Sequence, residues 1–269
     1  MFARCSRFNG AVPWSTMSLV DASAIFLNAT SFNRPLSTWN TSKATTLEGI
    51  FEGATSFNQP LPWDVSLVQD LSNAFRSAEV FNSDISAWRT DAVTAMHNTF
   101  TLALSFNQNI ASWNTSKVTN MAQAFAYATS FDQPLDAWDV SNVQFMSGMF
   151  QGAAAFNQVI NSWDVSSVID MTSMFAYTDA FNQPIGNWSL SSLEVASSLF
   201  EGASSFNQPI GAWDVSRVTD FSYMFNFASK FNQPLSSWNT SRVECKCFSF
   251  HNVFVSLFYF SYLVSCSYF

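Results

Sequence analysis

Charge is what this chain has least of: only 11% of its 269 residues are Asp, Glu, Lys or Arg, and the net charge is −8. The Lys and Arg side chains are scattered singly. With no basic stripe to neutralise phosphates, nucleic-acid binding is set aside. Histidine is scarcer still, with His97 and His251 alone. Neither lies near a matching cysteine or a serine-bearing elbow, no glycine-rich phosphate loop is present, and no acid pair stands apart from the repeating pattern. No enzyme is expected. Cysteine is confined to Cys5, Cys245, Cys247 and Cys266, all outside the regular repeats, so the repeats hold together without disulfides and the compartment cannot be read from them. Cys245 and Cys247 have only His251 nearby, short of the ligand set zinc requires. No metal or cofactor is expected. The first residues lack a basic segment followed by an apolar stretch, so no signal peptide is recognisable.

What the chain does have is tryptophan at a fixed interval. Trp14, Trp39, Trp63, Trp88, Trp113, Trp138, Trp163, Trp188, Trp213 and Trp238 are 25 residues apart, except for 24 between Trp39 and Trp63. A period of this length marks tandem structural repeats stacked as a solenoid. Beginning each unit at its first Phe, nine units run complete from Phe8 and a tenth fails after Val243. Residues 1–7 then form an incomplete N-terminal edge, 8–243 the repeats, and 244–269 an aberrant hydrophobic tail. The units opening at Phe8 and Phe57 are one residue short, just before Trp, where Pro13 and Pro62 stand.

Within a unit two apolar spacings alternate. Trp-x-Val, as in Trp213 and Val215, is period two and predicts a short strand. Met146, Met149 and Phe150 have the i, i+3, i+4 spacing of a helical turn, which Gly152, Gly53 and Gly202 would terminate. The expected unit is therefore strand, turn, short helix, turn, an α/β repeat. The second position is Asn in every unit except one, where Asp132 stands. An amide repeated at one corner can satisfy backbone groups of its own and the next turn; the alternative is a ligand-binding row. The Trp column and the Phe column through Phe150 are expected in the core, with the indoles face to edge.

Two segments, Leu135–Phe156 (LDAWDVSNVQFMSGMFQGAAAF) and Ile210–Phe231 (IGAWDVSRVTDFSYMFNFASKF), resemble the BspA-type leucine-rich-repeat surface proteins in their Trp-Asp-Val-Ser variant, a Mycoplasma-lipoprotein-type repeat of unknown function. The resemblance spans nearly the whole chain. It implies a leucine-rich-repeat-like, right-handed, curved solenoid of ~25-residue units. It also implies a cell-surface or extracellular setting and a role in adhesion or protein binding.

In that architecture the strands line the concave face, and the exposed residue after each Trp would lie there. The candidate binding residues are Asn40, Asp64, Arg89, Asn114, Asp139, Asp164, Asp214 and Asn239, flanked by small residues such as Ala87 and Ser112. Interaction surfaces favour aromatic or Arg anchors, and this row holds only Arg89. The alternative is a solubilising row without a partner. Three of five Asn-x-Ser/Thr sequons, at Asn40, Asn114 and Asn239, fall in the same row; the others are at Asn28 and Asn187.

From Val253 to Phe269 no residue is charged. A membrane anchor over 248–269, a hydrophobic cap on the last turn and a gene-model artefact are the competing readings. The sequence thus points to a non-catalytic repeat scaffold whose partner is an unknown protein or extracellular polymer, or to a structural wall or matrix array without a specific partner.

Overall fold

The computed structural model describes residues 2–244. The tail from Cys245 onward, with the anchor, cap and artefact readings placed on it, lies outside the described residues. So do Cys247, His251 and Cys266.

Each unit is a chain of tight turns rather than strand and helix. In the unit beginning at Phe131, the backbone N–H of Trp138 donates to the carbonyl of Leu135 at 3.1 Å and that of Val143 to Val140 at 2.9 Å. The N–H groups of Met149, Gln151, Ala153 and Phe156 then donate three residues back, to Met146, Gly148, Phe150 and Ala153. Gly148 and Gly152 have φ of 59° and 67°. Each is the third residue of its turn, the position at which a type II turn demands positive φ. The same two positions are left-handed in every complete unit, and most carry a side chain, Gln123, Tyr127, Ser173 and Tyr177 among them.

These turns leave alternate peptides free to bond between units. Met146, Gly148, Phe150 and Gly152 donate to Asp170, Thr172, Met174 and Ala176 of the next unit at 2.7–3.0 Å. Their counterparts in the preceding unit, from Met121 to Tyr127, donate to Phe145, Ser147, Met149 and Gln151. The peptides from Met146 to Gly152 that bond between units therefore lie parallel along the stack with their N–H groups pointing one way, while Gln144 beside the bridge donates back to Thr119. Half of the backbone on this face is satisfied within its turn and half by its neighbour, which is what a buried main chain requires. At the start of the stack Phe2 and Arg4 extend the ladder by donating to Ile25 and Leu27.

This corrects the expected fold class. Among the described residues there is no helix, and the only β pairing is a series of isolated parallel bridges: Asp21, Thr46, Asp70, Ala95, Asn120, Phe145, Asp170, Val195 and Asp220. The strand-plus-helical-turn unit of a right-handed α/β, leucine-rich-repeat-like solenoid is not what the chain builds. Trp138 and Val140 do point inward while Asp139 is exposed, but the segment joins two turns and carries no ladder. Met146, Met149 and Phe150 are buried together, but consecutive type II turns bring them there. Recurrent left-handed residues break both a helix and a regular strand, since neither tolerates them.

Three aromatic columns run through the core among Leu, Ile, Val, Met and Ala side chains. Phe150 and Phe156 stack at 4.0 Å, and Trp163 lies against Phe150 at 6.3 Å. Successive indoles are near-parallel, as between Trp188 and Trp213 at 4°, so the expected face-to-edge arrangement is replaced by offset stacking, which also suits the ring quadrupoles. From Trp39 onward each indole N–H donates to a carbonyl in the unit before, Trp138 to Ile110 at 3.1 Å.

The step between units depends on where it is measured. In the column from Phe26 to Phe225, which hangs from the ladder, rings recur at 5.5–5.8 Å. In the column from Phe32 to Phe231 they recur at 5.8–6.1 Å, and the indole pairs from Trp39 to Trp113 and from Trp188 to Trp238 lie 6.0–6.4 Å apart. Ring spacing is thus shortest in the column beside the ladder.

Candidate functional site

Two lengthwise surfaces offer chemistry to a partner. The first is the row that follows tryptophan. Asn40, Asp64, Arg89, Asn114, Asp139, Asp164, Asp214 and Asn239 are all exposed, one to a unit. They do not line a strand, and they flank the widely spaced tryptophans rather than the tight ladder. Every Asp and Asn of the row has a local task. Oδ1 of Asp139 accepts the backbone N–H of Ser141 at 3.0 Å and its hydroxyl at 2.6 Å. Asn40, Asp64, Asn114, Asp164, Asp214 and Asn239 accept the N–H of the serine two residues on. This is an Asx turn, which opens the bend leading to the next buried apolar residue.

The serine bonds also set the acidity of the row. The Ser166 hydroxyl and backbone N–H hold the Asp164 carboxyl below its usual range. Asp214 is lowered by Ser216 in the same way, and Asp64 by Ser66, with Arg89 adding a smaller attraction. A carboxylate that accepts hydrogen bonds is favoured in its charged form. The inward positions beside the row are apolar or satisfied: where Thr115 replaces valine, its hydroxyl donates to the carbonyl of Asp139 at 2.8 Å.

Arg89 breaks the pattern. It pairs with Asp91 at 3.4 Å, and Asp91 in turn accepts from the Asn114 amide at 3.0 Å. Where the short unit withdraws Pro62, an open notch of about 380 Å³ forms between Pro62, Trp63, Asp64, Val65, Ala87 and Arg89. Two of the candidate residues thus share a concavity, and it falls at the one-residue deletion.

The second surface is the ladder face, which the sequence patterns did not single out. At the second left-handed position of each unit the chain carries Leu102, Tyr127, Gly152, Tyr177, Gly202 and Phe227 in succession. Tyr127 and Tyr177 are 42% and 46% exposed, yet their rings are seated. A Cβ on Gly152 would meet Cδ1 of Tyr127 at 2.5 Å, and one on Gly202 would meet Cδ1 of Tyr177 at 2.4 Å. Each ring lies over the glycine of the next unit. The Tyr177 hydroxyl donates to Oε1 of Glu201 at 3.0 Å. Its acidity is weakened first by burial and then by Glu201, with a further small contribution from Tyr127. The signal in the sequence is an alternation of aromatic and glycine in one column. It is hidden there because the glycines read as helix ends.

A third row is internal to the architecture. Oδ1 of Asn9, Asn33, Asn58, Asn82 and Asn107 accepts the N–H of the second residue of the following unit at 2.9–3.0 Å. The series continues through Asp132 to Asn207. Where Gln stands in third place it adds a side-chain donation to the same oxygen, Gln59 to Asn33 at 2.9 Å and Gln133 to Asn107 at 3.0 Å among them. The Asn ladder is thus an intercoil brace.

A tandem array of stacked turns, with a braced corner and two exposed lengthwise rows, is the class of protein these features define. The repeat family described as Mycoplasma protein of unknown function, DUF285, matches residues 1–62, 61–162 and 183–255, and the chain belongs to it. No curated protein matches the chain. Among the described residues no helix is long and apolar enough to cross a membrane.

Proposed function

We propose that this protein is a non-catalytic scaffold of the surface type, binding a protein or extracellular polymer along the stack, as its sequence likeness to BspA-type surface proteins suggests. Register supports this reading. Identical positions recur once per unit over the array, so a partner with its own repeat meets many equal contacts, and weak contacts multiply into avidity. In the row after tryptophan the Asp and Asn side chains are held by their own serines, which lowers the entropy lost on binding.

A second reading is a structural wall or matrix array without a specific partner. It is favoured by the same serine bonds, which give the row a full architectural purpose.

The two are separated by exchanging Asp139, Asp164 and Asp214 together for Asn. Asn40, Asn114 and Asn239 make the same turn, so in protein made in a host that leaves the new Asn-Val-Ser sequons unmodified the exchange removes only charge. Binding of the full chain to immobilised extracellular-matrix proteins is measured for both forms. Loss in the variant is expected; equal binding by both overturns the role of the acidic row, and binding by neither favours the structural array.

A further inference from the structure

We propose that the ladder face is a binding site for a neutral, extended β-1,4-linked polysaccharide lying along the stack, with Tyr127 and Tyr177 as its stacking platforms. The face and the ligand chemistry both differ from those of the row after tryptophan, so failure of one leaves the other untouched.

The two tyrosines share a left-handed backbone with the equivalent residues of the other units, Leu102 among them. Tyr127 and Tyr177 have φ of 57° and 55°, where a bulky L-residue is disfavoured and glycine fits at no cost. The equivalent positions one unit on are Gly152 and Gly202, which are also left-handed, at 67° and 66°. The fold therefore accepts glycine here, and two exposed tyrosines stand at a conformational disadvantage.

Seating makes them platforms. A ring that folds over the glycine of the next unit lies along the surface, and one broad flank stays in contact with solvent. Gly152 and Gly202 are buried under these rings. For Tyr177 the bond to Glu201 fixes the ring at its far end. A rigid, half-exposed aromatic surface with a polar tip offers large contact area at small entropic cost. It matches the C–H face of a pyranose, while Glu201 and Gln151, each preceding a covered glycine, supply partners for hydroxyls.

Spacing favours the linkage. The two tyrosines are separated by two units, and the Phe125, Phe150 and Phe175 rings of the same units step by 5.6 and 5.8 Å, about 11 Å in all. That is close to the advance of one disaccharide in an extended β-1,4-linked glycan, which turns the same ring face to a surface at every second sugar. Charge selects the subclass. The chain carries −8 overall and Glu201 adjoins the row, so uronate-rich or sulfated polymers are repelled and neutral ones are not.

The test is affinity electrophoresis of the full chain through gels containing hydroxyethylcellulose, with carboxymethylcellulose as the anionic counterpart. Retardation is expected in the first and at least several-fold less in the second. The variant Tyr127→Gly/Tyr177→Gly, which suits the left-handed backbone, should lose the retardation at least tenfold while keeping its melting transition. Tyr177→Phe keeps the platform and should keep most of the binding. Absence of retardation in hydroxyethylcellulose overturns the proposal, as does undiminished retardation of the double glycine variant. Stronger retention by the anionic polymer overturns the assignment to neutral glycans.

Discussion

The carboxylate of Asp132 accepts the backbone N–H of Asn157 at 2.9 Å, the bond an amide oxygen makes in the other units. The corner asks for an acceptor, and Asp and Asn present the same oxygen at the same place. Asp132→Asn should therefore leave stability nearly unchanged. Asn157→Leu should cost about 0.5–1.5 kcal/mol, because the exposed N–H of Asn182 exchanges its partner for water. Urea unfolding of both variants checks this; a leucine variant as stable as the parent would show that water replaces the brace without loss.

Trp138 is 3% exposed and combines ring packing with its bond to Ile110. Replacing it with Ala should cost about 3–5 kcal/mol. Stacked units share stability with their neighbours. Hydrogen exchange should therefore accelerate in the flanking units around Trp113 and Trp163 before it does at either end of the array. Uniform acceleration would argue against nearest-neighbour coupling.

Gly152→Ala tests the seat. The left-handed backbone alone should cost about 1–2 kcal/mol, and the added methyl must also displace the Tyr127 ring. In a Tyr127→Gly background the steric part vanishes and only the backbone part remains. A double-mutant cycle measured by thermal melting should thus be non-additive. Additive losses would mean that the ring and the glycine are independent.

The lowered carboxyls of Asp64, Asp164 and Asp214 predict acid sensitivity. A folded-state value below the unfolded one contributes stability that is fully present above the unfolded value, about 4, and is lost as pH falls through the folded value. These groups are exposed, so the effect is small and is best read by difference. The melting temperature of the parent should decline below about pH 4 more steeply than that of Asp164→Asn, which has no carboxyl to protonate at that position. Parallel curves would remove the serine bonds as the cause.

Much of the interior is legible in the order of residues. Trp138, Val140, Met146, Met149 and Phe150 read as inward positions because a repeat writes burial into columns, and Asn157 reads as a brace because an amide repeated at one corner can bond the backbone of the next turn. The local path is not legible. The i, i+3, i+4 spacing of Met146, Met149 and Phe150 fits a helical turn and a pair of type II turns equally well. Gly152 has the look of a helix stop but is the left-handed corner of a turn, and the tyrosine that covers it sits one unit earlier, beyond the reach of any local pattern.

The amino-acid order suffices for the period, the number of complete units and the membership of the aromatic core except at the first turn, where Trp14 is 37% exposed. Side-chain polarity decides burial, and burial repeats with the tryptophans about every 25 residues. Only stacking makes the units turns rather than strand and helix. Stacking also brings Tyr127 and Tyr177 onto one face. The peptides from Met146 to Gly152 take their bonds from the next unit, so the backbone of each repeat is settled only by the neighbour on which it stacks.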